Sequence, residues 1–240
     1  MKNKFINSVI LVLGLILFTS FNSRSQVIIS LLLGDKLNQE GLEFGLEGGI
    51  NFTNVAGFED TKMLGSFNLG FYLDKRIKNQ WHVYTGVQVK SNFGMRDLSD
   101  SDLEYLEAEI EDEEGKYSQK MSAFMVPILA NYKFKNHIYL EAGPQVGLVY
   151  KGWVEFTSTE DNRDIKIQDY NDNLLNWFNT GFAVGGGYKL MKGSGWTFGL
   201  RYYQGFTNVF KGRSGSIHNS LHLKVNVPIG AGKKNEKEKE

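Results

Sequence analysis

The clearest pattern along the chain is alternation. Between Glu43 and Phe52 every second residue is apolar or glycine (Phe44, Leu46, Gly48, Ile50, Phe52), with Glu43, Gly45, Glu47, Gly49 and Asn51 between them. A period of two sends successive side chains to opposite faces of a β-strand. The pattern returns at 66–74, 81–90, 121–134, 138–151, 174–190, 196–206 and 217–229, which predicts eight strands. The connections are about 13, 6, 30, 3, 22, 5 and 10 residues long, so long and short alternate. Short turns on one side and long loops on the other mark a membrane barrel. The predicted fold class is all-β: an eight-stranded antiparallel transmembrane up-and-down β-barrel over 43–229. Its turns are periplasmic and short, and its longer external loops fall at 53–65, 91–120, 152–173 and 207–216.

The two faces of these strands differ in kind. One carries Phe67, Leu69, Phe71 and Leu73, then Trp81, Val83, Thr85, Val87 and Val89, then Ile138, Leu140, Ala142, Val146 and Leu148, and finally Leu221, Leu223, Val225 and Val227. It is read as free of Asp, Glu, Lys and Arg, as a lipid-facing surface requires, since Lys or Arg at mid-bilayer costs about 2–4 kcal/mol. The other face is rich in glycine and carries Glu47, Asp74, Lys90, Glu141, Lys189, Arg201 and Lys224. These seven are the candidate lumen charge network, because opposed charges can pair inside a narrow closed tube. In the fourth strand Met125, Pro127 and Leu129 put apolar groups on the inner face, and Pro127, lacking a ladder donor, predicts a bulge or bend.

Composition agrees with many strands: 27 Gly and 3 Pro in 240 residues, with 13% aromatic content. Formal charge is zero, from 27 basic and 27 acidic residues, and leaves no electrostatic footprint for nucleic acid. The amino terminus reads as a secretory signal over 1–25: Lys2 and Lys4, then the apolar run Val9 to Phe18, then Ser23 and Ser25 before a cut ahead of Gln26. Residues 26–42 follow as a periplasmic segment with an apolar stretch at Val27 to Leu33. The charged end, 230–240, reads as a disordered tail.

Catalytic, cofactor and metal motifs are not found. His82, His137, His218 and His222 have no metal-ligand spacing, and the bland reading of His218 and His222 is lumen hydrogen bonding. No G-x-S-x-G elbow occurs. The expectation is a non-enzyme without cofactor. The local anomaly is Asp97 to Glu114, with ten acidic residues and with Leu103, Leu106 and Ile110 at helical spacing. Ser99 and Asp102 can form a capping box for a short helix there. The favoured reading is nonetheless a solvated loop.

As an ordered set, "LEFGLEGGINFTNVAG" at 42–57, "FNLGFYLD" at 67–74, "FMVPILANYKF" at 124–134, "YLEAGPQVGLVY" at 139–150, "GFAVGGGYKL" at 181–190 and "FGLRYYQGFTNV" at 198–209 resemble the porin-family barrels of Bacteroidetes, the PorT-like group. That resemblance implies an eight-stranded outer-membrane barrel. For the family's namesake it also implies a part in protein export to the cell surface by type IX secretion. The partners expected are outer-membrane lipid or lipopolysaccharide and secretion-machinery proteins, with no nucleic acid. An eight-stranded interior is just wide enough to be filled by side chains, which favours a structural or interaction role. The alternatives are a narrow channel or small-solute transporter, and a soluble lipocalin-like carrier with its apolar face turned inward.

Overall fold

The computed structural model describes residues 41–160, 163–193 and 195–229. The signal at 1–25, the stretch Val27 to Leu33 with nearly all of segment 26–42, and the tail at 230–240 lie outside the described residues. Nine strands are present: β1 (Leu42–Val55), β2 (Lys62–Lys78), β3 (Trp81–Arg96), β4 (Lys116–Lys133), β5 (Ile138–Glu160), β6 (Arg163–Tyr170), β7 (Phe178–Lys189), β8 (Thr197–Asn208) and β9 (Ile217–Pro228). Two short helices, α1 (Asp100–Tyr105) and α2 (Leu190–Gly193), lie in the connections. Antiparallel neighbours run β4, β3, β2, β1, β9, β8, β7, β5, and pairing of β4 with β5 closes a ring of eight. Closure leaves no strand edge in the ring to be satisfied by solvent, which hydrocarbon could not supply.

β6 stands outside the ring and pairs with β5 alone. The expected external loop at 152–173 is therefore largely a hairpin. β5 runs on to Glu160, and β6 returns beside it with Phe156 opposite Ile167 and Trp153 opposite Tyr170. In β6 the apolar residues Ile165 and Ile167 alternate with Asp164, Lys166 and Gln168, a half-buried strand pattern too short and too charged to stand out.

Burial fixes which face meets what. Ile50, Phe67, Leu140, Leu200 and Leu223 are between 43 and 55% exposed, whereas Glu47, Asp74, Glu141, Arg201 and Lys224 are at most 5% exposed. That is the inverse of a soluble barrel, so the carrier reading with an inward apolar face is excluded. Inward glycines let neighbouring backbone close in: a Cβ on Gly49 would collide with the Leu223 carbonyl, and one on Gly70 with that of Val87.

Register shifts occur at several places in the ring, and two of them, rather than the bend expected at Pro127, exchange inward for outward positions in β3 and β5. Register across β3 and β4 shifts between Gln88 and Ser91, while Pro127 pairs with Gln145 in unbroken register. The second shift opposes Ser122 and Ala123 of β4 to Lys151 and Val149 of β5, leaving Tyr150 as the extra residue. The first bulge corrects one expectation outright. Lys90 is exposed on the outer wall opposite Leu69, outside the lumen, so the apolar face is not free of charge. Each bulge reverses the parity of everything beyond it.

The external mouth is closed by an apolar cap. Phe93, Met95, Met121 and Val154 from the ring and its extensions pack with Leu103, Leu106, Leu175, Val209 and Phe210 from the loops, all buried. α1 begins at the expected capping box: Ser99 Oγ accepts from the Asp102 amide, and the Asp102 carboxylate accepts from the Ser99 amide. The helix ends at Tyr105, so Leu103 and Leu106 are fully buried while Ile110 is 58% exposed. The solvated-loop reading of 97–114 thus fails for its first half. Arg213 ties the cap together, donating to the Gly57 carbonyl at 2.6 and 2.9 Å and lying 3.8 Å from the Phe58 ring and 4.7 Å from that of Tyr105. Truncating a fully buried leucine costs about 2–5 kcal/mol. Leu106→Ala is therefore expected to loosen the cap selectively: limited proteolysis should cut faster within 107–115, while the ring keeps its resistance to detergent unfolding.

Candidate functional site

The lumen is built in layers. At its centre four ionisable side chains meet: Glu47 from β1, Glu141 from β5, Arg201 from β8 and Lys224 from β9, all buried. The Arg201 guanidinium donates from Nε to Glu141 Oε1 at 2.7 Å and from its two terminal nitrogens to Glu47 at 3.2 and 3.4 Å. Lys224 Nζ donates to Glu141 Oε2 at 3.0 Å and lies 3.6 Å from Glu47 Oε2. Tyr84 and Gln88 of β3 also donate to Glu47, and the Arg201 and Lys224 cations face the Tyr84 ring at 5.1 and 4.4 Å. Two carboxylates thus meet two cations, with hydrogen bonds to the remaining lone pairs. Buried ions require this to be tolerated.

The backbone explains why the quartet can assemble. Arg201 is paired with Gly185, which is paired in turn with Glu141. A Cβ on Gly185 would come 3.0 Å from Glu141 Oε1. With no side chain there, Arg201 reaches over β7 to a strand that is not its neighbour. Lys224 lies between Gly49 and Gly199 in the same way.

Two further groups lie toward the periplasmic turns. Asp74 binds His82 Nδ1 at 2.6 Å and Lys133 Nζ at 2.9 Å and accepts from Asn131 at 3.3 Å. Lys189 pairs with Glu43, which also accepts from the Tyr72 hydroxyl at 2.8 Å. Above the quartet lies a neutral polar layer. Asn68 donates to Asn51 at 2.7 Å, Ser220 and His222 are 2.7 Å apart, and Tyr203 donates to Asn179 at 2.6 Å. His222 therefore sits in lumen hydrogen bonds. His218 does not: its ring stacks 4.2 Å from that of Phe93 and 5.2 Å from that of Tyr203, and neither ring nitrogen has a protein partner.

Of the seven charges selected from sequence, Glu47, Glu141, Arg201 and Lys224 come together, Asp74 and Lys189 sit in separate pairs, and Lys90 lies elsewhere. Glu43, which shares the polar face of β1 with Glu47, also belongs to the lumen, as do His82 and Lys133, which were missed though the parity of their strands marks them. Four carboxylates (Glu43, Glu47, Asp74, Glu141) balance four cations (Lys133, Lys189, Arg201, Lys224). Among the described residues no group of three His, Asp or Glu is placed to hold a metal ion.

Outside the membrane the β5 and β6 hairpin carries its own charge centre. Glu155 is 2.7 Å from Lys166 Nζ, pairs with Lys120, and accepts from Gln168 at 3.0 Å and from the Trp153 indole at 3.4 Å. Burial alone would push its carboxyl up, but hydrogen bonds from Lys120, Lys166 and Gln168 prevail and hold it down at about 2.

A closed ring of eight strands with an apolar exterior and an ion-paired lumen defines a transmembrane β-barrel. The chain belongs to the outer membrane protein beta-barrel domain family, whose model matches residues 25–211, and its place is the outer membrane. No curated protein matches the sequence. Solved structures to which the chain is similar include three membrane-surface proteins. Ail, the attachment invasion locus protein of Yersinia pestis, is 11% identical, with 80% of this chain and 100% of that chain covered at a TM-score of 0.43. Neisserial surface protein A is 9% identical, with 78 and 96% covered at 0.40. OprG of Pseudomonas aeruginosa is 14% identical, with 78 and 93% covered at 0.35. At these values the likeness is distant, and the fold of this chain rests on its own strand pairing.

Two outcomes are expected from these charges. Arg201→Met leaves Glu47 and Glu141 buried with Lys224 as their sole central cation, so urea unfolding in detergent should show a loss of about 3–5 kcal/mol, part of it regained in Arg201→Met with Glu141→Gln. The hairpin should depend on pH with a definite sign. Because the Glu155 carboxyl titrates at about 2 rather than at its ordinary 4.5, the stabilisation is complete above 4.5 and is lost as pH falls from there toward 2. Methyl NMR signals of Ile165 and Ile167 should follow that loss, and Glu155→Gln should flatten it.

Proposed function

We propose that this protein is a non-conducting, non-enzymatic barrel that serves the outer membrane as a structural and interaction protein, acting through its outer wall and external surface. The supporting observation is the double closure of the lumen, by the Glu47, Glu141, Arg201 and Lys224 layer and by the apolar cap over it. A solute path would have to separate four buried charges and then displace Leu103, Leu106 and Phe210. Breaking one buried pair already costs about 3–5 kcal/mol, which argues against a narrow channel or small-solute transporter. The export role implied by the PorT-like resemblance is one form of this reading, in which the surface is offered to secretion-machinery subunits. The barrel's wall would then meet lipid and lipopolysaccharide as it does in any such role.

Planar-bilayer recording tests the proposal. The inserted full chain is expected to give no conductance steps, and Leu103→Ser with Leu106→Ser should also stay silent because the ionic layer remains. Regular steps from the unaltered protein would refute the non-conducting role.

A further inference from the structure

The two bulges have an effect that neither strand pattern nor lumen chemistry explains. In β3 the residues below the bulge point outward at Thr85 and Val87; beyond it the outward positions are Lys90 and Asn92. In β5 they are Leu140 and Leu148 below, and Lys151 and Trp153 beyond. Unbroken alternation would direct both lysines into the lumen. Each bulge instead turns one lysine onto the outer wall, on the two strands that flank β4. The bulges face each other across Ser122, Ala123 and Phe124.

The level of this patch follows from strand geometry. Trp81, 53% exposed, begins β3 at the periplasmic side, nine residues before Lys90. At about 3.4 Å per residue and a tilt near 40°, Lys90 stands about 23 Å above Trp81. The apolar band of such barrels is about 25 Å tall, so Lys90 marks its external edge. Lys151 is two strand spacings away, about 10 Å across the sheet. Its Nζ lies 4.5 Å from the Tyr170 ring centre and 5.5 Å from that of Trp153, and it donates to the Tyr170 hydroxyl at 3.4 Å. Between and above them Lys120 and Lys166 share the single carboxylate of Glu155. No carboxylate pairs with Lys90 or Lys151 among the described residues, and both are exposed. Elsewhere on the wall the external outward positions include Phe52, Phe67, Phe178, Gln204, Phe206 and Asn219, while the exposed Lys62 of β2, opposite Arg96 of β3, is neutralised by Asp97 at 2.9 Å. Unneutralised positive charge at the rim of the wall is thus confined to one sector.

We propose that this sector, centred on Lys90 and Lys151, is a binding site for the phosphorylated headgroup of an outer-leaflet glycolipid. The partner is fixed by position and charge. The site borders hydrocarbon, which calls for an acylated ligand along Leu69, Phe124 and Tyr150. Its unpaired ammonium groups call for phosphate, and the Trp153 and Tyr170 rings suit the interface between tail and headgroup. The inference needs only the membrane placement of the barrel. It stands or falls independently of the non-conducting role.

Native mass spectrometry of the full chain in detergent tests it, with phosphorylated lipid A and its phosphate-free counterpart as probes. One phosphorylated lipid A should stay bound, with at least tenfold preference over the phosphate-free form. Lys90→Gln with Lys151→Gln should lose about tenfold in retention. Lys90→Arg with Lys151→Arg should keep binding, as should the periplasmic-side control Lys75→Gln with Lys78→Gln. The heat-dependent gel shift of a folded barrel confirms that each variant is closed. Equal retention of the two lipids by the unaltered protein would overturn the proposal whatever the variants do. Undiminished retention by the double glutamine variant, or displacement by equimolar pyrophosphate, would overturn it as well.

Discussion

Backbone hydrogen bonding without water is the constraint on which this molecule turns. Each strand that enters hydrocarbon must find a partner along both edges, and eight strands meet that demand by pairing β1 with β9 and β4 with β5. The small ring that results leaves little room inside. Whatever points inward must fit, and whatever is charged must find its opposite. The glycines at 49, 70 and 185 and the quartet around Arg201 answer the same geometric pressure: backbone closes in where it can, and long side chains reach across where it does. The ionic layer is thus a product of closure as much as a support for it.

The extent to which this was legible beforehand depends on which physical signal each part leaves. The eight strands of the ring, its closure and the polarity of the two faces follow from period-two alternation, because one face is apolar almost throughout, whereas the ninth strand, β6, carries no comparable signal. Glu47, Glu141, Arg201 and Lys224 fall on the inner face by parity alone. Parity fails at a bulge, since one extra residue inverts everything beyond it, and nothing in "GVQVKSNFG" at 86–94 marks where that happens. Lys90 was lost that way. Tyr150 conceals the second bulge by being compatible with either face.

Other features were hidden for different reasons. The hairpin of β5 and β6 buries only a few apolar groups, and charged residues occupy its outer positions, so its pattern merges into that of a polar loop. In the acidic segment, Leu103 and Leu106 were correctly picked as one face, but ten carboxylates outweighed two leucines. The cap they complete draws on Phe58, Phe210 and Leu175 from three other connections, and no local window reveals that. Long-range assembly of short apolar pieces is the class of contact a single sequence hides best.

One property of the quartet reaches beyond the finished barrel. Glu47 lies in the first strand, and its guanidinium partner is 154 residues further along the chain. The acids of the early strands therefore find their central counterions only in the last two strands of the ring. Without β8 and β9 the lumen would hold four carboxylates against two cations, Lys133 and Lys189, a surplus of buried negative charge. Electroneutrality in the bore thus depends on the two strands that come last in the chain, and a barrel lacking either would leave an acid of the first strand or of β5 short of its counterion.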